Sequence, residues 1–353
     1  IGNNKEPKHI PASDRKRLPL ARIGENYSSD LVWGRGSVLN NYIEAQAELK
    51  RTINQLISEA ASIRSPEVLN QIGDIITSCA KSFGIGIDGT VTSKFVYRTS
   101  TSLGSFGLFD DRTPLFQRGT GTQRLLSMAL NINAHQNETV LIIDEVENGL
   151  EPYRLRTLLN ELRAMFSENG QVFMTTHSPT TLVELDAKHL YRVLSRSGSV
   201  SLEGLVCESK TVSDGMQRTV RKQPEAFLCP RIVLCEGKTE FGLMKALDNH
   251  LRLKEEFRIA SKGVYFAEGE GSNWANRAKV LRRMGYDVCV VMDHDRKEDE
   301  QALPQLRALR VPVFRREKGN AIEYQLFADA PKKTLRSIIA GAKKLTSSNP
   351  LLT

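Results

Sequence analysis

Four short apolar runs in this chain each stop on an acid or a histidine. VLII runs into Asp144 and Glu145, VFMTT into His177, RIVLC into Glu236, and VCVVM into Asp293, His294 and Asp295. Runs of this length, bounded by turn residues, suit buried strands better than helices. Between them lie stretches with helical spacing of apolar residues, and strands that alternate with helices argue for parallel sheets with helices packed on them. In open α/β sheets of this kind ligands collect at the carboxyl ends of the strands. One pattern therefore fixes the fold class, α/β, and points to where chemistry should be sought.

The alternation occurs twice. Helical patterns over 123–134 and 153–166 precede the strands 140–143 and 172–175. Residues 197–230 then turn polar, rich in Gly, Ser and Lys, and mark a boundary. Beyond it come strand 232–235, a helix to about 251, strand 264–267, helix 274–284, strand 288–292, strand 311–314 and helix 321–327. Ahead of the first alternation, residues 1–37 show no period. Residues 39–83 read as two amphipathic helices broken near Ser65 and Pro66, and 91–97, 106–109 and 115–116 read as short strands around Asp110 and Asp111. The expected organisation is a first domain over 1–205 with a helical insertion at 39–83, a linker over 206–229, and a second domain over 230–353.

With 353 residues the chain can bury two cores. No apolar run approaches the ~20 residues of a membrane span, so the expectation is a cytoplasmic protein with no membrane partner. The five cysteines show no close pairs of the zinc-binding kind and read as reduced. From residue 231 onward there are 23 Lys and Arg against 16 Asp and Glu, so +7 of the formal +8 lies in the last third. That asymmetry favours a polyanionic partner, or else a solvated basic surface.

Asp144 and Glu145 stand where an acid can hold the waters of Mg²⁺ and its neighbour can orient an attacking water. His177, about 30 residues on, stands at a second strand end, where it can meet a γ-phosphate or serve only structure. Upstream, Gly119 and Gly121 in RGTGTQRLLSMAL open a helix whose N–H groups suit phosphate. In this order the segments resemble the ATP-binding-cassette ATPases of the SMC and RecF type over about 105–195. The resemblance implies that Gly119 to Gln123, with Gly121 among them, are a signature motif facing ATP and Mg²⁺ held by a partner copy. It makes Asp144 and Glu145 the Walker B pair, with Glu145 catalytic, Glu147 to Pro152 the D-loop, and His177 the switch histidine. It also implies a homodimer or higher oligomer through this domain. No G-x-x-x-x-G-K-[ST] sequence is present, and the expectation is a P-loop ahead of Ile1.

In the second alternation Glu236 ends one strand and Glu240 follows one helical turn later, so both carboxylates can face one side or can simply favour a helix N-terminus. Asp293 and Asp295 share a face of extended chain and His294 takes the other; alternatively both are turn acids bonding local backbone. Carboxylates gathered from two strand ends repel one another without cations. Two divalent metals about 4 Å apart would balance them and activate a water against a phosphodiester. Residues 230–330 resemble a Toprim domain, with Glu236 and Glu240 in E-G-x-x-E and Asp293 and Asp295 as D-x-D. The resemblance implies Glu236, Asp293 and Asp295 as catalytic metal ligands, Glu240 as a supporting ligand, and Glu323 as a later ligand, though Asn320-x-x-Glu323 is also a capping pattern. Arg277, Lys279, Arg282, Arg283, Arg315, Arg316 and Lys318 are candidates for phosphate contacts.

A partial ABC-type domain followed by a Rossmann-like Toprim domain resembles the OLD (overcoming lysogenization defect) nucleases, including the Gabija nuclease subunit and retron-associated effectors. The resemblance implies Mg²⁺- or Mn²⁺-dependent cleavage of double-stranded DNA under ATP control in bacterial defence against phage, with a helicase or retron partner. The competing reading is a non-cleaving SMC-like DNA-binding scaffold.

Overall fold

The computed structural model describes residues 20–23, 27–32, 37–39, 67–87, 89–96, 105–134, 140–166, 170–254, 259–269, 273–293, 297–315, 327–328 and 330–347. They divide into two compact units, Ile1–Thr181 and Leu182–Thr353. Of the helices expected over 39–83 and 321–327, residues 40–66 and 321–326 lie outside the described residues, while Glu67–Ser82 is helical.

In the first unit the described elements are β1 (Leu20–Ile23), α1 (Tyr27–Asp30), α2 (Glu67–Ser82), β2 (Val91–Val96), β3 (Ser105–Asp110), β4 (Thr113–Pro114), α3 (Thr120–Ala134), β5 (Val140–Ile143), α4 (Pro152–Met165) and β6 (Gln171–Met174), and the division falls within α5 (Pro179–Glu184). Strands β1, β5 and β6 form a parallel sheet with β5 in the middle, Ile23 and Met174 both in register with Ile143. Strands β2, β3 and β4 form a separate antiparallel sheet. The helices cover both sheets because their apolar residues recur at the helical period. Leu155, Leu158, Leu159 and Leu162 form the buried stripe of α4, and Leu125, Met128, Ala129 and Ile132 that of α3.

The second unit opens with a hairpin, β7 (Tyr191–Arg196) and β8 (Ser199–Gly204). Its turn places Ser197 and Gly198 at φ of 49° and 82°, the left-handed pair a two-residue hairpin turn requires. Then follow α6 (Lys210–Lys222), β9 (Arg231–Cys235), α7 (Lys238–Leu253), β10 (Val264–Glu268), α8 (Trp274–Arg283), β11 (Asp287–Met292), α9 (Lys297–Ala308), β12 (Val313–Arg315) and α10 (Lys332–Ser347). The four later strands form one parallel sheet in the order β10-β9-β11-β12. The chain runs from β9 outward to β10, then crosses back to β11 on the other side of β9. That reversal between β9 and β11 is a topological switch point, where strand ends open a crevice for ligands.

The expected linker over 206–229 takes a different form. Ser209 caps α6 by accepting the Val212 N–H at 3.3 Å, and Met216 and Val220 on α6, with Ala226 and Phe227 after it, are buried in the core built on β9 and β11. Leu182, Leu190 and Leu205 join the same core, so the division falls near residue 181 and the chain from there on packs with the second unit. The i, i+4 apolar pair on α6 is sparse in a polar stretch, so the sequence reads as linker while the fold uses it as a cover for the sheet. No helix among the described residues is long and apolar enough to cross a membrane.

Candidate active sites at the strand ends

The first site sits at the end of β5. Asp144 and Glu145 follow Ile143 directly, and the backbone of Glu145 has φ of 45°, a left-handed conformation that costs a non-glycine residue on the order of 1–2 kcal/mol. Neighbouring groups hold it there. Thr175, just past β6, accepts the Glu145 N–H at 2.8 Å and donates its hydroxyl to the Asp144 carboxylate. From α3 the guanidinium of Arg124, 1% exposed, donates to the carbonyl of Asp144 at 3.0 Å and to that of Glu145. Its other terminal nitrogen donates to the Tyr27 hydroxyl at 2.8 Å, and the cation lies 5.0 Å from the centre of that ring.

The remaining motif residues surround this clamp. Glu147 accepts the Thr176 hydroxyl at 2.7 Å and the His177 backbone N–H, which fixes the start of the histidine loop and leaves the His177 residue exposed. Gly121 packs on the loop after β5 so closely that a Cβ there would come within 2.4 Å of the Gly149 carbonyl oxygen. Gln123 turns its amide inward, donating to the carbonyls of Phe116 and Arg118 at 3.0 and 2.6 Å. It secures the turn before α3 while Gly119 stays exposed at the helix start. The sequence pattern picked out Asp144, Glu145, His177 and the glycines; Arg124, Thr175 and Tyr27 carried no motif signal.

The second site lies at the switch point. Glu236, 7% exposed, follows β9 and donates its N–H to the Val291 carbonyl of β11 at 2.9 Å. In return the Asp293 N–H donates to the Glu236 carboxylate at 3.1 Å. The sheet thus brings together two acids 57 positions apart. Glu240, 4% exposed, accepts the Gly237 N–H at 2.7 Å and caps α7 with its side chain. Burial pushes the Cys235 thiol up to about 12, with the charges of Glu240, Cys289 and Glu268 adding to the effect. This thiol stays protonated, and all five cysteines are free. Asp295, His294 and Glu323 lie outside the described residues, and among the described residues no group of three or more His, Cys, Asp or Glu could hold a metal.

Glu268, at the end of β10, is tied down through its backbone. Its N–H donates to Gln223 at 2.8 Å and its carbonyl accepts from Gln223 at 3.2 Å and from Arg277 at 3.1 Å. Arg277 is 2% exposed, so this arginine serves the strand end from inside and is no surface contact for phosphate. Arg282 is likewise engaged with the Leu309 and Tyr286 carbonyls, and Arg283 pairs with Glu208 at 2.7 Å. Lys279 is half-buried and Arg315 exposed, while Arg316 and Lys318 lie outside the described residues. Gln223 and Glu268 had no sequence signal, because a side chain that serves a backbone group belongs to no motif.

Comparison with known proteins matches two separate segments of the chain. Residues 46–184 match an AAA domain family that includes an AbiEii toxin candidate of a type IV toxin–antitoxin system. Residues 227–295 match the TOPRIM domain of overcoming lysogenization defect protein-like proteins. The chain joins an AAA-type domain to an OLD-like TOPRIM domain. The TOPRIM match spans β9 to Asp295 and so contains Glu236, Glu240, Asp293 and Asp295. Old nuclease of Escherichia phage P2 is 23% identical over 194 residues, covering 50% of this chain and 33% of the phage protein. The chain thus spans about a third of that relative's length. Among solved structures, CbiO1 of the ABC transporter complex CbiONQ from Clostridium perfringens aligns over 60% of this chain and 66% of its own, at 17% identity and a TM-score of 0.30. A superposition that loose adds nothing to the description of the fold.

Proposed function

We propose that the protein is an ATP-regulated, divalent-metal-dependent DNA endonuclease of bacterial anti-phage defence, working in the cytoplasm. The observation that carries the reading is the bond from the Asp293 N–H to the Glu236 carboxylate at 3.1 Å. It places two acids from separate strands at the switch point of an OLD-like TOPRIM sheet. The donor set fits hard cations, since it is made of carboxylate oxygens. Glu236 and Asp293 would hold Mg²⁺ or Mn²⁺, with Asp295, Glu240 and Glu323 completing the set. The metal, when bound, would polarise the phosphodiester and activate a water.

The protein's own contribution is positioning. Glu236 is anchored by β11, and Glu240 fixes the first turn of α7 by holding the Gly237 N–H. Exposed basic side chains such as Arg315 and Lys332 suit the backbone of double-stranded DNA. In the AAA-type domain Asp144, Glu145 and His177 would serve ATP and Mg²⁺, with Gly119 and Gly121 presented to nucleotide across a homodimer or higher oligomer. A helicase or retron component is the kind of partner that would supply the trigger.

Incubating the protein with plasmid and Mg²⁺ or Mn²⁺, with and without ATP, tests the proposal. Nicking that needs metal, responds to nucleotide and is lost in Asp293→Ala is the expected result. Absence of nicking by the wild type, or full nicking by Asp293→Ala, would leave a DNA-binding scaffold as the better reading. Nicking that ignores nucleotide would remove ATP control while leaving the nuclease in place, and an unchanged nucleotide response in Glu145→Gln would remove Glu145 from that control.

A further inference from the structure

One edge of the sheet in the second unit is closed by a side chain. Strand β10 stands at the end of the order β10-β9-β11-β12, so among the described residues its outer edge meets no other strand. An edge of this kind leaves backbone groups without a ladder, and strands fray from their ends. Its last residue, Glu268, is in register with Cys235, one position before Glu236. Both backbone groups of Glu268 go to the Gln223 amide, the N–H at 2.8 Å and the carbonyl at 3.2 Å. One planar amide thus makes the pair of bonds that a neighbouring peptide would make. That amide starts from a fixed backbone. The Gln223 N–H donates to the Thr219 carbonyl at 2.8 Å, its carbonyl accepts the Ala226 N–H at 3.1 Å, and Pro224 after it is buried.

What Gln223 secures leans on Glu236. One residue after Glu268, the Gly269 N–H donates to the Cys235 carbonyl at 2.6 Å. A Cβ on Gly269 would stand 2.8 Å from that oxygen, 3.3 Å from the Glu236 carbonyl oxygen and 2.7 Å from the Cβ of Trp274, so only glycine lets the turn approach so closely. The backbone of Glu236 therefore has the turn after β10 on one side and β11 on the other, where the Val291 carbonyl takes its N–H. The two supports differ in kind. Strand β11 is paired with strands on both of its edges, whereas the end of β10 is held from outside by side chains. Arg277 shares the Glu268 carbonyl at 3.1 Å, while the Glu268 N–H goes to Gln223.

We propose that Gln223 is a positioning residue for the carboxylate of Glu236: its amide fixes the end of β10, and with it the backbone from which that carboxylate is aimed at a metal. The inference rests on the reading of Glu236 as a metal ligand given above. Gln223 acts through Glu268 and Gly269, at one remove from the ligand, as do the outer partners that orient the ligands of metal sites in general.

The test compares Mn²⁺ binding by the full chain without nucleotide, read from the electron paramagnetic resonance of free Mn²⁺, in wild type, Glu236→Gln, Gln223→Met and Ser209→Ala. Methionine keeps the length of glutamine and removes both bonds to Glu268. Ser209→Ala weakens the same helix at its other end, where the serine caps α6, and leaves Glu268 alone. The expected result is binding that Glu236→Gln abolishes, that Gln223→Met weakens about tenfold and that Ser209→Ala leaves unchanged. The Gly269 amide should exchange with solvent deuterium faster in Gln223→Met and at the wild-type rate in Ser209→Ala. Mn²⁺ binding in Gln223→Met as tight as in wild type, or weakened equally in Ser209→Ala, would overturn the positioning role alone. A wild type that binds no Mn²⁺, or Glu236→Gln that binds it as tightly, would overturn the metal reading and this inference with it.

Discussion

The two strand-end sites reach similar arrangements of acids by different means. At the end of β5 the acids are neighbours in sequence, and what needs fixing is the backbone between them. The left-handed Glu145 is held by Thr175 on one side and the buried Arg124 on the other. At the ends of β9 and β11 the acids come from different strands, with no outlier in the backbone of either. Sheet topology brings them together, and a carboxylate-to-amide bond sets their spacing. The first site depends on a clamp that one substitution can remove, while the second depends on the pairing of whole strands. Function at the second site should therefore be easy to abolish without harming the fold, and at the first the fold itself should respond.

The largest expected effect is on cleavage. Glu236→Gln and Asp293→Ala should each reduce nicking by about 10²- to 10³-fold, the scale on which single charge-stabilising groups contribute, while thermal unfolding remains close to wild type. A loss of stability as large as the loss of activity would show that the acids are structural. Arg124→Ala comes next. It strips the carbonyls of Asp144 and Glu145 of their donor and leaves a gap beside Tyr27, costing about 3 kcal/mol in urea unfolding. A cost under about 1 kcal/mol would mean that Thr175 alone holds the turn.

Smaller effects are expected from a tyrosine ahead of β11 and from the backbone of Glu145 itself. The Tyr286 hydroxyl donates to the Phe227 carbonyl at 2.7 Å, just before β11 begins, and burial pushes its pKa up from 10.0 to about 12. Tyr286→Phe should cost about 1 kcal/mol with cleavage intact. A folded pKa above the unfolded one means stability that is complete below pH 10 and falls as pH rises toward 12. The wild type should show that fall in denaturant titrations and the phenylalanine variant should show less of it. Smallest of all, Glu145→Gly relieves the left-handed strain but makes the unfolded chain more flexible, for a net gain of about 0.5 kcal/mol. A clear loss would mean that the carboxylate itself supports the turn.

What could be read from the sequence was what strands and short motifs encode. Apolar runs ending on Asp144, His177, Glu236 and Asp293 gave the strands of the parallel sheets, because short apolar runs bounded by turn residues suit strands, even where, as at Phe173, a residue of the run is 57% exposed. Contacts between distant residues left none. Arg124 meets Tyr27 across 97 positions, and in the sequence it is one more arginine on a helix. Arg277 read as surface charge because its partner is a backbone carbonyl that any residue could supply. Residues 206–229 read as linker because only a few apolar side chains, such as Met216 and Val220, tie that stretch to the core. The two functions of Glu240, capping a helix and facing a cation, use the same residue type at the same spacing, and the bond to Gly237 establishes the first.

The bond between Asp293 and Glu236 also closes a loop. Both of its ends are set by the pairing of β9 with β11, and α7, β10 and α8 form the arc between them. The arc returns to the same strand end, where the Gly269 N–H donates to the Cys235 carbonyl at 2.6 Å just before Glu236. The spacing of Glu236 and Asp293 is therefore set by the pairing of the two strands at the switch point, whatever length of chain joins them.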